Sequence, residues 1–148
     1  MPRIDLATVP GQTGSGYPAP FDRAAGARVC RRLEGPGGIS DFNITHVELP
    51  EGAWSSQRHW HEAEDEFLVM LSGAATLVDN HGETTLGAGD CVAFPKGDGN
   101  GHHLIGGPGG CVFVVWGVPE ASACHYPDID LALDGATGQY KHKDGTPY

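Results

Sequence analysis

The apolar residues of this chain come in runs of strand length, each closed by a glycine-rich or polar turn, and no stretch keeps a helical repeat. "ARVCRRL" (27–33) and "DFNITHVEL" (41–49) read as strands on either side of the turn "EGPGGIS". "SSQRHWH" (55–61) is a further short strand. "EFLVMLSG" (66–73) is a continuous apolar run ending in glycine. "ATLV", "DNHG" and "ETTL" follow as a hairpin, and a second turn at "GAGD" leads into "CVAFP" (91–95). "HHLI" (102–105) and "CVFVVWGV" (111–118) complete the set. About eight to ten short strands at such close intervals predict an all-β sandwich or small barrel. With 23 glycines and 11 prolines, long helices are disfavoured throughout.

A length of 148 residues suits one domain with one core. Residues 1 to 26, rich in Gly, Pro and small side chains, read as an extended N-terminal arm. Residues 27–118 form the barrel. The tail 119–148 carries Tyr126, Ile129, Leu131 and Leu133, enough to pack on the barrel and too few to fold alone.

The net charge of −10 argues against nucleic acid and anionic membrane surfaces, which need clustered Lys and Arg. It does not exclude a small anionic substrate, because a pocket can be locally positive. No run approaches a membrane span, and "MPRIDLATVPGQTGSG" lacks the apolar core of a secretory signal, so a cytoplasmic location is expected. Cys30, Cys91, Cys111 and Cys124 are scattered without a CxxC spacing, which predicts reduced thiols. "GQTGSG" lacks the strand, helix and lysine of a phosphate loop.

"RHWHEAEDEF" (58–67) is the densest cluster of chemistry-bearing residues. On a strand, side chains alternate, so His59 and His61 share a face and Trp60 points away. Two imidazoles one pleat apart can converge on one ion, and a turn through "EAED" can return the carboxylate of Glu66 beside them. Two histidines and a carboxylate form the facial set that suits Fe(II) and related ions. Glu62, Glu64 and Asp65 read as a solvated acidic turn.

Here the chain resembles the cupin superfamily. That family's first motif is Gly, five residues, His-x-His, three or four residues, Glu, six residues, Gly. His59, His61, Glu66 and Gly73 fit it, whereas Gly52 stands one residue too early. The second motif is Gly, five residues, Pro-x-Gly, two residues, His, three residues, Asn. Gly89, Pro95 and Gly97 match in spacing. The loop "DGNG" then carries two extra residues before His102, and the final position falls on Gly106. The resemblance implies a double-stranded β-helix (jelly-roll) barrel. It also implies a divalent metal ion (Fe, Mn, Ni or Zn) held by His59, His61, Glu66 and His102. Adjacent strand residues face opposite ways, so His103 is the reserve should the register slip by one.

The resemblance permits several functions, and fold alone does not choose among them. The first expectation is metal-dependent, oxygenase-type chemistry on a small polar metabolite. The second is a sugar or sugar-phosphate isomerase or epimerase. The third is a metabolite-binding or sensor protein with a structural metal. A phosphosugar enzyme should show a cationic clamp. Arg58 alternates away from His59, and Lys96 and Lys141 lie in loop or tail, which weakens that reading. Gln57 and His103 are further pocket candidates. Leu68 and Met70, on the face of Glu66, should form an apolar wall. Phe67, Val69 and Leu71 then face outward and call for a cover, most simply a second copy in a homodimer.

Overall fold

The computed structural model describes residues 3–118 and 122–148. Its strands are β1 (Gln12–Thr13), β2 (Val29–Arg32), β3 (Asn43–Leu49), β4 (Trp60–His61), β5 (Glu66–Asp79) and β6 (Gly82–Gly87). These are followed by β7 (Cys91–Phe94), β8 (His103–Gly117), β9 (Cys124–Tyr126), β10 (Leu131–Leu133) and β11 (Tyr140–Lys141). Among the described residues, helix is confined to a 3-10 turn at Leu6–Thr8 and one turn, α1 (Glu34–Gly37), inside the expected "EGPGGIS" connection.

A seven-stranded sheet runs β1-β2-β3-β8-β5-β6, with β7 paired to β5. A four-stranded sheet runs β11-β10-β9-β4. All ladders are antiparallel. This is the jelly-roll arrangement expected of the double-stranded β-helix.

Two pairs of expected strands are fused. "EFLVMLSG" and "ATLV" form one strand, β5, and "HLI" and "CVFVVWGV" form another, β8. The β5–β8 register slips between Met70 and Ser72 and again between Gly73 and Ala75. Bulges bend a strand without ending it, which lets one strand serve two walls of a barrel. Gly73 sits at the bend with φ +71°, and a Cβ there would lie 2.2 Å from Gly110 O. Only glycine combines that backbone with that approach.

Alternation sets the core. Leu68 and Met70 are buried with Leu49, Leu104 and Phe113, whereas Phe67 and Leu71 stay exposed. Each large apolar side chain buried this way contributes roughly 1.5–3 kcal/mol. A second cluster joins both ends of the chain: Cys124, Tyr126 and Leu131 pack with Tyr17 and Phe21 of the arm and with Tyr140.

The stretch 55–61 departs from expectation. It is strand only at Trp60–His61, with isolated bridges at Trp54 and His59. Its partner is the tail: Trp60 pairs with His125, and His61 with Cys124. The tail therefore does more than pack on the barrel, because it supplies the strand that holds His61 in place.

Candidate metal centre

His59 and His102 face each other across an isolated antiparallel bridge, exchanging N–H···O bonds of 3.1 and 2.9 Å. Their rings lie 5.0 Å apart, and His61 lies 5.0 Å from His59 at right angles to it. Glu66, the first residue of β5, points its Oε2 between them, 3.2 Å from His102 Nε2 and 3.6 Å from His61 Nε2. The ligand atoms of His59, Glu66 and His102 all fall within 4.8 Å of one another. The two extra residues of "DGNG" are looped out, and the bridge to His59 restores the register of His102.

The second nitrogen of two of the three rings meets an acceptor. His59 Nδ1 lies 2.9 Å from Gln57 O, and His102 Nδ1 lies 3.4 Å from Asn100 O. His61 Nδ1 lies 3.4 Å from Glu64 Oε2, too poorly aligned for a full hydrogen bond. His59 and His102 can thus each carry a proton on Nδ1 and turn the Nε2 lone pair to a cation, for which the His102 Nε2–Glu66 hydrogen bond would give way.

The electrostatics agree. Burial pushes His59 down to about 4 and lowers His61. Desolvation alone would raise Glu66, but the hydrogen bond with His102 and the nearby imidazoles hold it down to about 2. Neutral imidazoles and an ionised carboxylate are the protonation states a cation requires. The donor set therefore fits a divalent ion.

His59, Glu66 and His102 line a cavity of about 370 Å³, whereas His61 does not. Leu68, Leu104, Phe113 and Val115 give it apolar walls, and Phe94 stacks on His102 with ring centres 3.6 Å apart. Gln12, Tyr17, Thr45, Ser55 and Ser56 supply polar groups. Arg28 and Arg32 also line it, at alternate positions with Cys30, while Arg31 turns outward to pair with Glu48. The cationic wall that Arg58 and the lysines do not provide thus comes from β2 and the residue before it. Alternation along "RVCRR" was its signal, but not which face pointed inward.

Three other expectations are corrected. Gln57 does not line the cavity: residues 55–58 bend out of strand geometry, and its Nε2 donates to Phe21 O at 2.7 Å, tying down the arm. His103 lies on the far face of β8, 4.4 Å from the Trp54 ring, while His102 faces inward. Met70 is core and does not reach the cavity, whereas Leu68 does.

Two neighbours were missed. Glu64 is not solvated: its side chain is 17 % exposed, and burial together with Glu66 raises it to about 7. Its spacing of three residues from His61 was the available hint. Cys124 is buried, and its sulfur lies within 4.8 Å of the ligand atoms of His59 and His61. No local sequence signal could place it there, because it arrives by the β4–β9 pairing.

Gly106 explains the departure from the second motif. A Cβ there would lie 2.1 Å from Pro50 O, so no asparagine side chain fits.

Fold and site together define a small β-barrel protein with a metal-type donor cluster at its cavity. The Cupin domain family model matches residues 45–118, and the chain belongs to the cupin superfamily. It is similar over 99 % of its length, and over 96 % of the other chain, to a cupin sugar phosphate isomerase from Silicibacter pomeroyi, at 37 % identity and TM-score 0.93. A protein of Acidithiobacillus ferrooxidans, described provisionally as a sugar phosphate isomerase, matches at 25 % identity and TM-score 0.70, over 78 % of this chain and 74 % of that one. The polyketide cyclase RemF of Streptomyces resistomycificus, at 24 % identity and TM-score 0.62 over 80 % and 79 % of the two chains, shares the fold. No curated protein sequence matches significantly. Among the described residues no helix is long and apolar enough to cross a membrane.

Proposed function

We propose that the protein is a metal-dependent isomerase acting on a small sugar or sugar phosphate, with the ion held by His59, His61, Glu66 and His102. The observation that carries this is the convergence of His59, His102 and the ionised carboxylate of Glu66 on a cavity large enough for such a metabolite, with His61 Nε2 3.6 Å from the same carboxylate. The 37 % identical relative supports the reaction type. A bound divalent ion supplies Lewis-acid polarisation of a carbonyl oxygen.

The chain's own residues do the rest. Leu68, Phe113 and Val115 exclude water from one side of the cavity. Ser55, Ser56, Thr45 and Tyr17 offer hydroxyls to those of a sugar. Glu64 lies beside the His61 ring, its Oε2 3.4 Å from Nδ1. In this reading residues 27–118 are the working barrel, and the arm and tail close its sides. Oxygenase-type chemistry, the first expectation, draws on the same donors and has no further support here.

The test is anaerobic incubation of metal-loaded protein with a panel of aldoses, ketoses and their phosphates, followed by NMR. Interconversion without oxygen is the expected result. Oxygen uptake in step with substrate loss would replace the isomerase with an oxygenase. Saturable binding with no turnover in either gas would leave a sensor.

We also propose a homodimer across the outward face of β5. Phe67 is 43 % and Leu71 50 % exposed, and Phe67 sits against Trp116 with ring centres 6.1 Å apart. A stable interface needs about 800 Å² per partner, which such a face can anchor. Sedimentation should give twice the chain mass at micromolar concentration, and Phe67→Glu should shift the species to monomer. A wild-type monomer under these conditions would remove the proposal.

A further inference from the structure

We propose that Arg28 anchors an oxyanion group of the substrate, a phosphate monoester or a carboxylate; this rests on reading the cavity as the substrate site. Arg28 lines the cavity beside Ser55, Ser56 and His59. Its Nη1 donates to Ser55 O, which fixes the plane of the guanidinium. Its Nε is buried without a hydrogen-bond partner, and among the described residues no carboxylate pairs with it.

That arrangement is unusual in a chain of net charge −10. Three other arginines find acidic partners: Arg31 pairs with Glu48, Arg32 with Glu34 at 3.2 Å, and Arg58 with Asp128 at 2.6 Å. A partly desolvated guanidinium without a counter-charge is costly, and a buried N–H without an acceptor adds to the cost. An oxyanion entering the cavity supplies the missing counter-charge to the guanidinium that lines it. The guanidinium presents a rigid fork of N–H donors that matches two oxygens of a phosphate or carboxylate.

The position also orients a substrate. Ser55 holds Arg28, and Ser56, next in the chain, has its Oγ 3.3 Å from His59 Nδ1. The anchored end of a ligand therefore lies on the His59 side of the donor cluster, leaving its other oxygens free to reach the ion. Arg32 is a poorer anchor, since its side chain is 62 % exposed and already paired with Glu34.

The experiment is an NMR titration of metal-free, isotope-labelled protein with inorganic phosphate and, separately, with acetate. Removing the metal prevents the anion from simply binding the ion. The expected result is a saturable shift of the Arg28 Nε–H resonance and of amides around residues 28 and 55–59 in the wild type. Arg28→Gln can keep a bond to Ser55 O without the charge, and its binding should be at least tenfold weaker. Arg28→Met should behave alike, and Arg28→Gln decides should Arg28→Met fail to fold. Arg58→Gln, which removes one charge away from the cavity, should bind as the wild type does. The tighter of the two anions identifies the group. The proposal is overturned if neither anion shifts Arg28, if Arg28→Gln binds as the wild type does, or if Arg58→Gln loses as much. Anion binding through Arg28 without any isomerase activity would sink the reaction proposed above and leave this inference standing. Isomerase activity on sugar phosphates with unchanged KM in Arg28→Gln would do the reverse.

Discussion

Replacing His59 and His61 together by alanine should strip the protein of the stoichiometric metal proposed for this site. His59 offers a nitrogen within 4.8 Å of the ligand atoms of Glu66 and His102, and His61 Nε2 lies 3.6 Å from Glu66 Oε2. The hydrogen-bond partners of metal ligands are alone worth 10–100-fold in affinity, so losing two direct donors should cost on the order of 10⁴-fold. Elemental analysis of protein purified without added metal reads the result directly. A full equivalent retained in the double variant would place the site elsewhere. The pH dependence of the wild type follows from the same burial. Because His59 is pushed down to about 4, its folded ring stays neutral while the unfolded ring, near 6.5, takes up a proton. The unfolded state then binds more protons, so metal-free protein loses stability as pH falls from about 6.5 towards 4, and keeps the full contribution above that window. Thermal melts of metal-free protein should show this fall, and the double variant should show less of it.

The second large effect separates two adjacent histidines. His102→Ala should lower metal affinity at least tenfold, about 1.4 kcal/mol or more. His102 faces the cavity, stacked on Phe94, with Nε2 3.2 Å from Glu66. His103 lies on the opposite face against Trp54, buried at 4 % exposure, its Nδ1 without a partner. His103→Ala should change metal affinity clearly less and should instead lower the melting temperature, since it removes packing against Trp54. Competitive chelator titration and thermal denaturation of the two single variants give the two readouts. A larger affinity loss in His103→Ala would show that the register slips by one in solution and reassign the fourth ligand.

Much of the fold was legible in the run lengths, because alternation and turn chemistry act over a few residues. The inward face of β5 follows from the pattern: Leu68 points in, Phe67 and Leu71 point out. The fused strands were not legible, because a bulge and a turn both present glycine to the reader. Gln57 was misplaced for a related reason. Alternation was extended through residues 55–58, where Arg28 bonded to Ser55 O and Gln57 bonded to Phe21 O hold the chain out of strand geometry.

What the sequence by itself determined was local: the strands, the shared face of His59 and His61, and the return of Glu66 after one turn. Covalent geometry sets those distances once the strand is granted. What only the tertiary structure decided was which distant groups join them. Arg28 and Tyr17 reach the cavity because β2 and the arm close one side of the barrel. Cys124 reaches the histidines because β9 pairs with β4. Glu64 loses its solvent because the chain folds over it against Gly117, where a Cβ would lie 2.2 Å from its Oε1. These contacts depend on sheet closure, a property of the whole barrel that no short window of sequence encodes.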